Sequence, residues 1–386
     1  MCSTLLSVMA QQEIFDPGKA YEIYQVAIIN THSHTSISDA EGFGCDPTSV
    51  IQKNFRHFDG IILTDHGGHI SAKEWADEQN YQQSFSGGNK ICLSGFEVTG
   101  TDELGFTSSK DPAYQPGWGH IVVVGTGSYC ERRVYGNGNP PVIVPTFQSF
   151  TDWLESYPTG MAIFAHPSLY MIERSFDGFA PPRTDQAVRQ FVGCELSSHG
   201  LEYSGLGNGT ELRSSNEACY RKLLREGWRL GAYMSGDEHL PPFGSTNTVT
   251  GMYVREKSVS CTIEAMAARR TFATEEPGAN IKLVVSSESE HAIMGGEISI
   301  QKEAVFHASC SSPKTKVETI SLVFISTEAG HDLVQVSQHL GNNTDHWGMI
   351  VSKNDLIYKK TILVYAKAKL ENGKNLVSSP IWLNTR

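Results

Sequence analysis

The chain has 386 residues, too many for one ordinary small domain, so two domains or one large barrel with an appendage is the expected organisation. Its 31 Lys and Arg against 42 Asp and Glu leave a net charge of −11, which argues against a sequence-independent nucleic-acid surface, since phosphate backbones call for clustered cations. The 8 cysteines are scattered with no C-x-x-C pair, which argues against a zinc knuckle or dithiol motif, and no apolar run reaches the ~20 residues of a bilayer-spanning helix.

Residues 4–12 read as the tail of a signal peptide with a small residue at a cleavage point, but without a basic start. That favours export or a periplasmic location over the cytoplasm and sets residues 1–24 apart as an N-terminal extension. The next run, Ile28-Ile29-Asn30-Thr31, ends in His32-Ser33-His34, with Asp39 five residues on. Strand residues alternate faces, so His32 and His34 project from one side and can grip one cation together.

Residues 46–58 carry helical spacing and lead into a second buried strand, residues 60–64, that ends in Asp65-His66. A helix-compatible segment, a Gly87-Gly88 turn and a third strand ending in Glu97 follow. Residues 100–117 and 128–145 read as loops. Between them His120 opens the run Ile121-Val122-Val123-Val124, the one case in which the histidine precedes its strand. Residues 146–157 read as a helix with Phe147, Phe150 and Trp153 inward; then come a strand ending in His166, a strand at 191–196 leading to His199, a helix at 214–226, and a strand entering Asp237-Glu238-His239.

Seven apolar strands separated by helices or loops imply a mainly parallel α/β architecture, in which a closed or nearly closed barrel would gather the strand ends. From residue 279 the pattern changes to short alternating β runs, read as an antiparallel β-sandwich over residues 277–386, with the barrel over 25–276. In that tail His291, His307, His331, His339 and His346 read as isolated surface or packing residues.

The candidates His32, His34, Asp39, His66, Glu97, His120, His166, Asp237 and His239 are too many for one ion, which takes about four protein ligands. Two or three divalent ions are implied, and mixed imidazole and carboxylate donors suit zinc, manganese or iron better than calcium. In this order the motifs resemble the PHP (polymerase and histidinol phosphatase) superfamily: His-x-His with a following Asp, Thr-Asp-His, Gly-x-Glu, two single histidines and Asp-x-His. The β-rich tail after Ala268-Arg269-Arg270-Thr271-Phe272-Ala273-Thr274 further resembles the branch with carbaryl-type carbamate hydrolases.

The resemblance implies a distorted seven-stranded (β/α) barrel and a two- or three-metal site. It assigns His32, His34, Glu97 and Asp237 to a first ion, Glu97, His120 and His166 to a second, and Asp39, His66 and His239 to a third. The family's Ser-Asp-Gly stands here as Ser38-Asp39-Ala40, and the small residues before Asp237 are exchanged to Ser235-Gly236. The implied activity is a metal-dependent phosphoesterase using a hydroxide that bridges two metals, with a small anionic substrate. The rivals are a carboxylester, amide or carbamate hydrolase with the same site, and a non-catalytic binding protein that uses the sandwich.

His199 is the first candidate for protonating the leaving group and His69 the second. Arg132, Arg133, Arg174 and Arg213 lie on expected rim loops and could hold a phosphate, and Trp118 and Tyr170 could line the pocket.

Overall fold

The computed structural model describes residues 17–99, 118–132, 138–167, 176–198, 209–288, 290–328, 330–337, 342 and 344–385. Strands β1 (Gln25–Asn30), β2 (Gly60–Leu63) and β3 (Ile91–Thr99) run parallel. β4 (His120–Val124) runs antiparallel to both β3 and β5 (Met161–Ala165), after which β5, β6 (Phe191–Ser198) and β7 (Gly231–Ser235) are parallel again. The expected mainly parallel sheet is therefore a mixed one. The reversal of β4 explains why His120 precedes its run: the first residue of an antiparallel strand lies at the same end of the sheet as the last residues of its neighbours. His120 accordingly pairs with Thr99 on one side and Ala165 on the other.

Two further strands, β8 (Val249–Val254) and β9 (Thr271–Thr274), continue the sheet beyond β1 and were not legible as strands in the sequence. Inward-facing side chains from β1 to β8, among them Ile29, Ile62, Leu93, Val122, Ile163, Val192, Tyr233 and Met252, form one buried cluster with Ala265 and Met266 of the helix Val259–Ala267. The strands thus curl round a common interior. The gap between β7 and β8 is stitched by side chains rather than a ladder: Thr250 Oγ1 donates to Met234 O (2.7 Å), and Thr248 Oγ1 to Ser235 O (2.6 Å). At the carboxyl end the Asp237 N–H donates to His32 O at 2.7 Å, which ties the segment after β7 to the end of β1.

Helices cover the outer face. Asp46 caps the helix Pro47–Asn54, and Ser71 with Glu74 forms a capping box on Ala72–Phe85. In Phe147–Glu155 the expected inward residues Phe147, Phe150 and Trp153 are buried, packed with Phe164, Phe191 and Trp228. Truncating one such ring to alanine would cost about 3–5 kcal/mol. Trp118 belongs to this core as well, its ring stacked on Phe150 at 5.4 Å, so it does not line a pocket.

The tail adds β10 (Asn280–Ser287), β11 (Glu290–Ile293), β12 (Glu297–Ser299), β13 (Glu303–Ser311), β14 (Val317–Ser326), β15 (Leu333–Val336), β16 (Thr344–Ser352), β17 (Thr361–Leu370), β18 (Asn375–Ser378) and β19 (Ile381–Asn384). One antiparallel sheet has the order β11-β10-β13-β16. The other tail strands join the large sheet through β18, which pairs antiparallel with β9. Ile281, Leu283, Phe306 and Ala308 of the first sheet share a core with Ile320, Leu322, Phe324, Val364 and Ala366 of the second, and with Tyr253 and Phe272 of β8 and β9. Hydrogen bonding runs across the expected boundary near residue 277 as well, since Asn375 N–H donates to Glu275 and Asn372 Nδ2 to Glu276. Within the tail His307 is buried and its ring meets that of His346 at 5.8 Å, so these two are neighbours rather than isolated.

Candidate metal centre

The strand ends bring eight of the nine expected ligands together, and the turn after His34 adds Asp39. His32 and His34 follow β1, His66 follows β2, Glu97 lies in β3, His120 opens β4, His166 follows β5, and Asp237 and His239 follow β7. Four groups of imidazole and carboxylate atoms lie close enough to share an ion: His32-His34-Glu97, His32-His166-Asp237, Glu97-His120-His166 and His34-Asp39-His66-His239.

Glu97 is the hub. Its Oε1 lies 2.9 Å from His120 Nδ1 and 3.1 Å from His166 Nε2. Its Oε2 lies 3.4 Å from His32 Nε2, 3.6 Å from His34 Nε2 and 3.0 Å from His66 Nδ1. Each oxygen therefore faces a different set of imidazoles. Asp237 Oδ1 lies 3.4 and 3.2 Å from the Nε2 atoms of His32 and His34, and Asp39 Oδ2 lies 3.3 Å from the Nε2 atoms of both His66 and His239.

The donor chemistry calls for cations. His32 Nδ1 faces Glu195 Oε1 at 3.1 Å, and a carboxylate accepts, so Nδ1 carries the proton and Nε2 offers a lone pair. That lone pair points at His34 Nε2, 3.1 Å away, with Glu97 and Asp237 oxygens beside it. Buried acceptors converging without a cation are costly, and a divalent ion satisfies all of them.

Without an ion the protons must compensate. Burial pushes the Glu97 carboxyl up, but His32, His120 and His66 outweigh it and hold the group well below the usual carboxylate range. Asp237 behaves alike, burial being overcome by His32 and His34. Burial pulls the His239 imidazole down, yet Asp39 and Asp237 raise it to about 9. His34 is depressed, by burial and then by His239.

Two candidate ligands sit in the left-handed region, His166 at φ 25° and Asp237 at φ 47°. Such conformations in non-glycine residues are sparsely populated and are held by surrounding bonds. Here the bonds are His166 N–H to Glu195 Oε2 (2.9 Å) and Asp237 N–H to His32 O (2.7 Å). The exchange of small residues before Asp237 also has a packing reason. A Cβ on Gly236 would lie 2.7 Å from Asn30 Nδ2, and the Gly236 N–H donates to Asn30 Oδ1 at 2.8 Å.

Sequence reading passed over the residues that hold these ligands. Glu195 orients His32 and His166 together from inside an apolar strand. Asp65 accepts from the N–H and hydroxyl of Thr35, both at 2.7 Å, and from the Ser38 hydroxyl at 2.6 Å, fixing the turn that carries Asp39. Thr99 Oγ1 lies 2.8 Å from His66 Nδ1. Glu131 accepts the Gly68 and Thr99 N–H groups; burial, only partly offset by those bonds, lifts its carboxyl to about 7. A charged residue inside an apolar run was the available signal for Glu195.

Of the other candidates, His69 lies beside the cluster, its ring 6.0 Å from that of His66. Arg132 is only 9 % exposed, so it is a buried residue rather than a solvated rim charge. His199, Arg133, Arg174, Tyr170 and the side chain of Arg213 lie outside the described residues. Among the described residues no helix is long and apolar enough to cross a membrane.

No protein-family model matches the chain, and no curated protein does. Among solved structures, one that it resembles is the crystal structure of a two-domain protein containing a predicted PHP-like metal-dependent phosphoesterase from Bacteroides vulgatus ATCC 8482. The two are 13% identical with a TM-score of 0.44, over 91% of this chain and 92% of that one.

Proposed function

We propose that the chain is a metal-dependent hydrolase of PHP type acting on a small phosphoester, with the barrel over residues 25–276 carrying the site and a β-sandwich over 277–386 appended to it. The observation that carries this reading is the division of Glu97 between His120 and His166 on one oxygen and His32, His34 and His66 on the other. Glu97 would help hold two cations, with His120 and His166 on one side and His32 and His34 on the other, and the group His34-Asp39-His66-His239 would hold a third. Zinc, manganese or iron fits these donors.

Divalent ions bound there would supply a water of lowered pKa and positive charge for the oxygens of an in-line displacement. The chain's own residues do the rest. Glu195 holds the His32 and His166 ligands in place, and Asp65 holds the turn of Asp39. His32, His34 and Glu97 are buried to 1 % exposure or less, so bulk water is kept from the floor of the site, where charge interactions are then strong. In this proposal His199 is the first candidate to give a proton to the departing alkoxide, and His69, whose ring lies 6.0 Å from that of His66, is the second.

The test is hydrolysis of a chromogenic panel of phosphate monoester, phosphate diester, carboxylester and carbamate by metal-loaded protein, with His66→Ala as control. Metal-dependent release from a phosphoester, abolished in the control, is expected. Release from the carboxylester or carbamate alone would replace this reading with a carbonyl hydrolase, and no turnover of any substrate at full metal loading would count against the panel's phosphoesters as its substrate class.

A further inference from the structure

A second site lies apart from the ligand cluster. A cleft of about 510 Å³ is lined by Arg56, His57, Phe58 and Asp59 ahead of β2, Lys90 ahead of β3, Ile28 of β1, the segment Gly244, Ser245, Thr246 and Asn247, and Pro277, Gly278 and Lys314 of the tail. None of the nine candidate metal ligands is among these residues. We propose that this cleft binds a small phosphate-bearing anion.

The argument starts from charge. In a chain of net charge −11, the cleft collects Arg56, Lys90 and Lys314 and only one carboxylate, Asp59. Asp59 is already committed: one oxygen accepts the Ile28 N–H at 2.9 Å and the other the Lys257 ammonium at 2.7 Å. It therefore does not neutralise the three cations. Arg56 and Lys314 are exposed and make no ion pair among the described residues, which leaves a planar guanidinium fork and an ammonium free to donate.

Lys90 is placed in advance. Its ammonium donates to Phe55 O and to Phe58 O (2.9 Å) and sits 5.4 Å over the Phe55 ring, so two of its three N–H groups are used and one remains. A lysine held in this way binds an anion with less loss of rotamer entropy than a free one.

The opposite wall is also built. The Gly244, Ser245 and Thr246 N–H groups donate to the Glu238 carboxylate at 2.8, 3.1 and 3.1 Å, which fixes the segment leading to Asn247. Gly244 sits at φ 75°, and a Cβ there would lie 2.9 Å from the Asn54 backbone nitrogen, so the wall is seated directly on the end of the helix Pro47–Asn54. Asn247 adds a neutral amide beside the cations, while the Ser245 hydroxyl is already spent on Pro242 O at 2.6 Å. One anchored ammonium, two cations unpaired among the described residues and a neutral amide suit a phosphate or diphosphate better than a neutral or cationic ligand.

The proposal is independent of the chemistry at the metal centre, and the probe must separate the two because phosphate oxygens also bind divalent ions. Inorganic pyrophosphate is titrated calorimetrically into the purified full-length protein, the Arg56→Ala/Lys314→Ala double variant and a His32→Ala variant. Both cleft residues are exposed, so the double variant should fold, and an unchanged thermal midpoint checks this. A binding event weakened at least tenfold by the double substitution and by raised salt, but retained in His32→Ala, is expected. Equal binding in wild type and double variant, loss only in His32→Ala, or no binding at all would overturn the proposal.

Discussion

Glu195 Oε1 lies 3.1 Å from His32 Nδ1, and this contact leaves Nε2 as the nitrogen that faces the candidate metal centre. The other Glu195 oxygen accepts the His166 N–H, so one carboxylate serves ligands from two of the candidate ion groups. Carboxylate-oriented histidines of this kind are common around protein-bound metals, and loss of the partner weakens metal binding about 10–100-fold.

Glu195→Gln tests whether the double acceptor matters. His32 Nδ1–H meets Oε1 and the His166 N–H meets Oε2, and an amide puts an NH2 donor at one of those two positions, so it cannot accept at both. The expected outcome is a metal affinity lowered at least about tenfold in a competition titration. Histidine nitrogen NMR should at the same time show His32 losing its fixed tautomer. An unaltered tautomer and affinity would mean that Glu195 only fills space.

Glu97 and Asp39 should differ in how many ions they control. Glu97 faces two imidazole sets, whereas Asp39 faces His66 and His239, with His34 at 3.5 Å. Elemental analysis should find Glu97→Gln short of two equivalents and Asp39→Asn short of no more than one. Equal losses would mean that the bridging arrangement is wrong.

Stripping the metal should destabilise the fold. At ligand concentrations about 100 times the dissociation constant, a bound ion stabilises by about 2.7 kcal/mol. A chelated sample should therefore melt roughly 5 °C or more below the loaded one, with recovery when the ion is restored. Scanning calorimetry before and after chelation reads this, and identical traces would contradict it.

The ion pair between the helix Gly209–Arg225 and β17 gives a pH-dependent term away from the metal. Glu217 accepts from Arg221 (2.7 Å), Tyr365 (2.8 Å) and Lys367 (2.6 Å). Burial raises its carboxyl, but Lys367 and Arg221 overcome this and bring it down to about 2. A depressed carboxyl contributes stability that is whole above the unfolded-state value near 4.5 and is lost as pH falls toward about 2. Glu217→Gln should cost roughly 2 kcal/mol at pH 7 once partial solvent screening is allowed for. The difference should shrink as pH drops below about 4.5. Denaturant midpoints from pH 7 to pH 3 check the slope; a difference that does not change with pH would rule out the charge as its source.

The candidate ligands other than Asp39 were legible because each lies at the start or end of an apolar run, and a run of four or five buried residues such as Ile121 to Val124 announces a strand. Direction was less legible. Nothing in the run of β4 marks it as antiparallel except the position of His120 before it rather than after. β8 was hidden because Thr248 and Thr250 face β7 as hydrogen-bonding groups, which breaks the apolar pattern that a buried strand otherwise shows. The pairing of β9 with β18 joins residues about a hundred positions apart, a contact that local pattern does not encode. Glu195, Asp65 and Glu131 were missed for a related reason: their partners are backbone groups and side chains brought in by other strands, so the need for a carboxylate exists only after folding.

The central claim is that Glu97 lies between two cations, and anomalous X-ray diffraction at the absorption edge of the bound metal tests it most directly. The account predicts two peaks flanking Glu97, one on the Oε1 side with His120 and His166 and one on the Oε2 side with His32 and His34, each about 2.0–2.2 Å from its carboxylate oxygen for zinc. A single peak on one side of Glu97, or none in a metal-supplemented crystal, would contradict it.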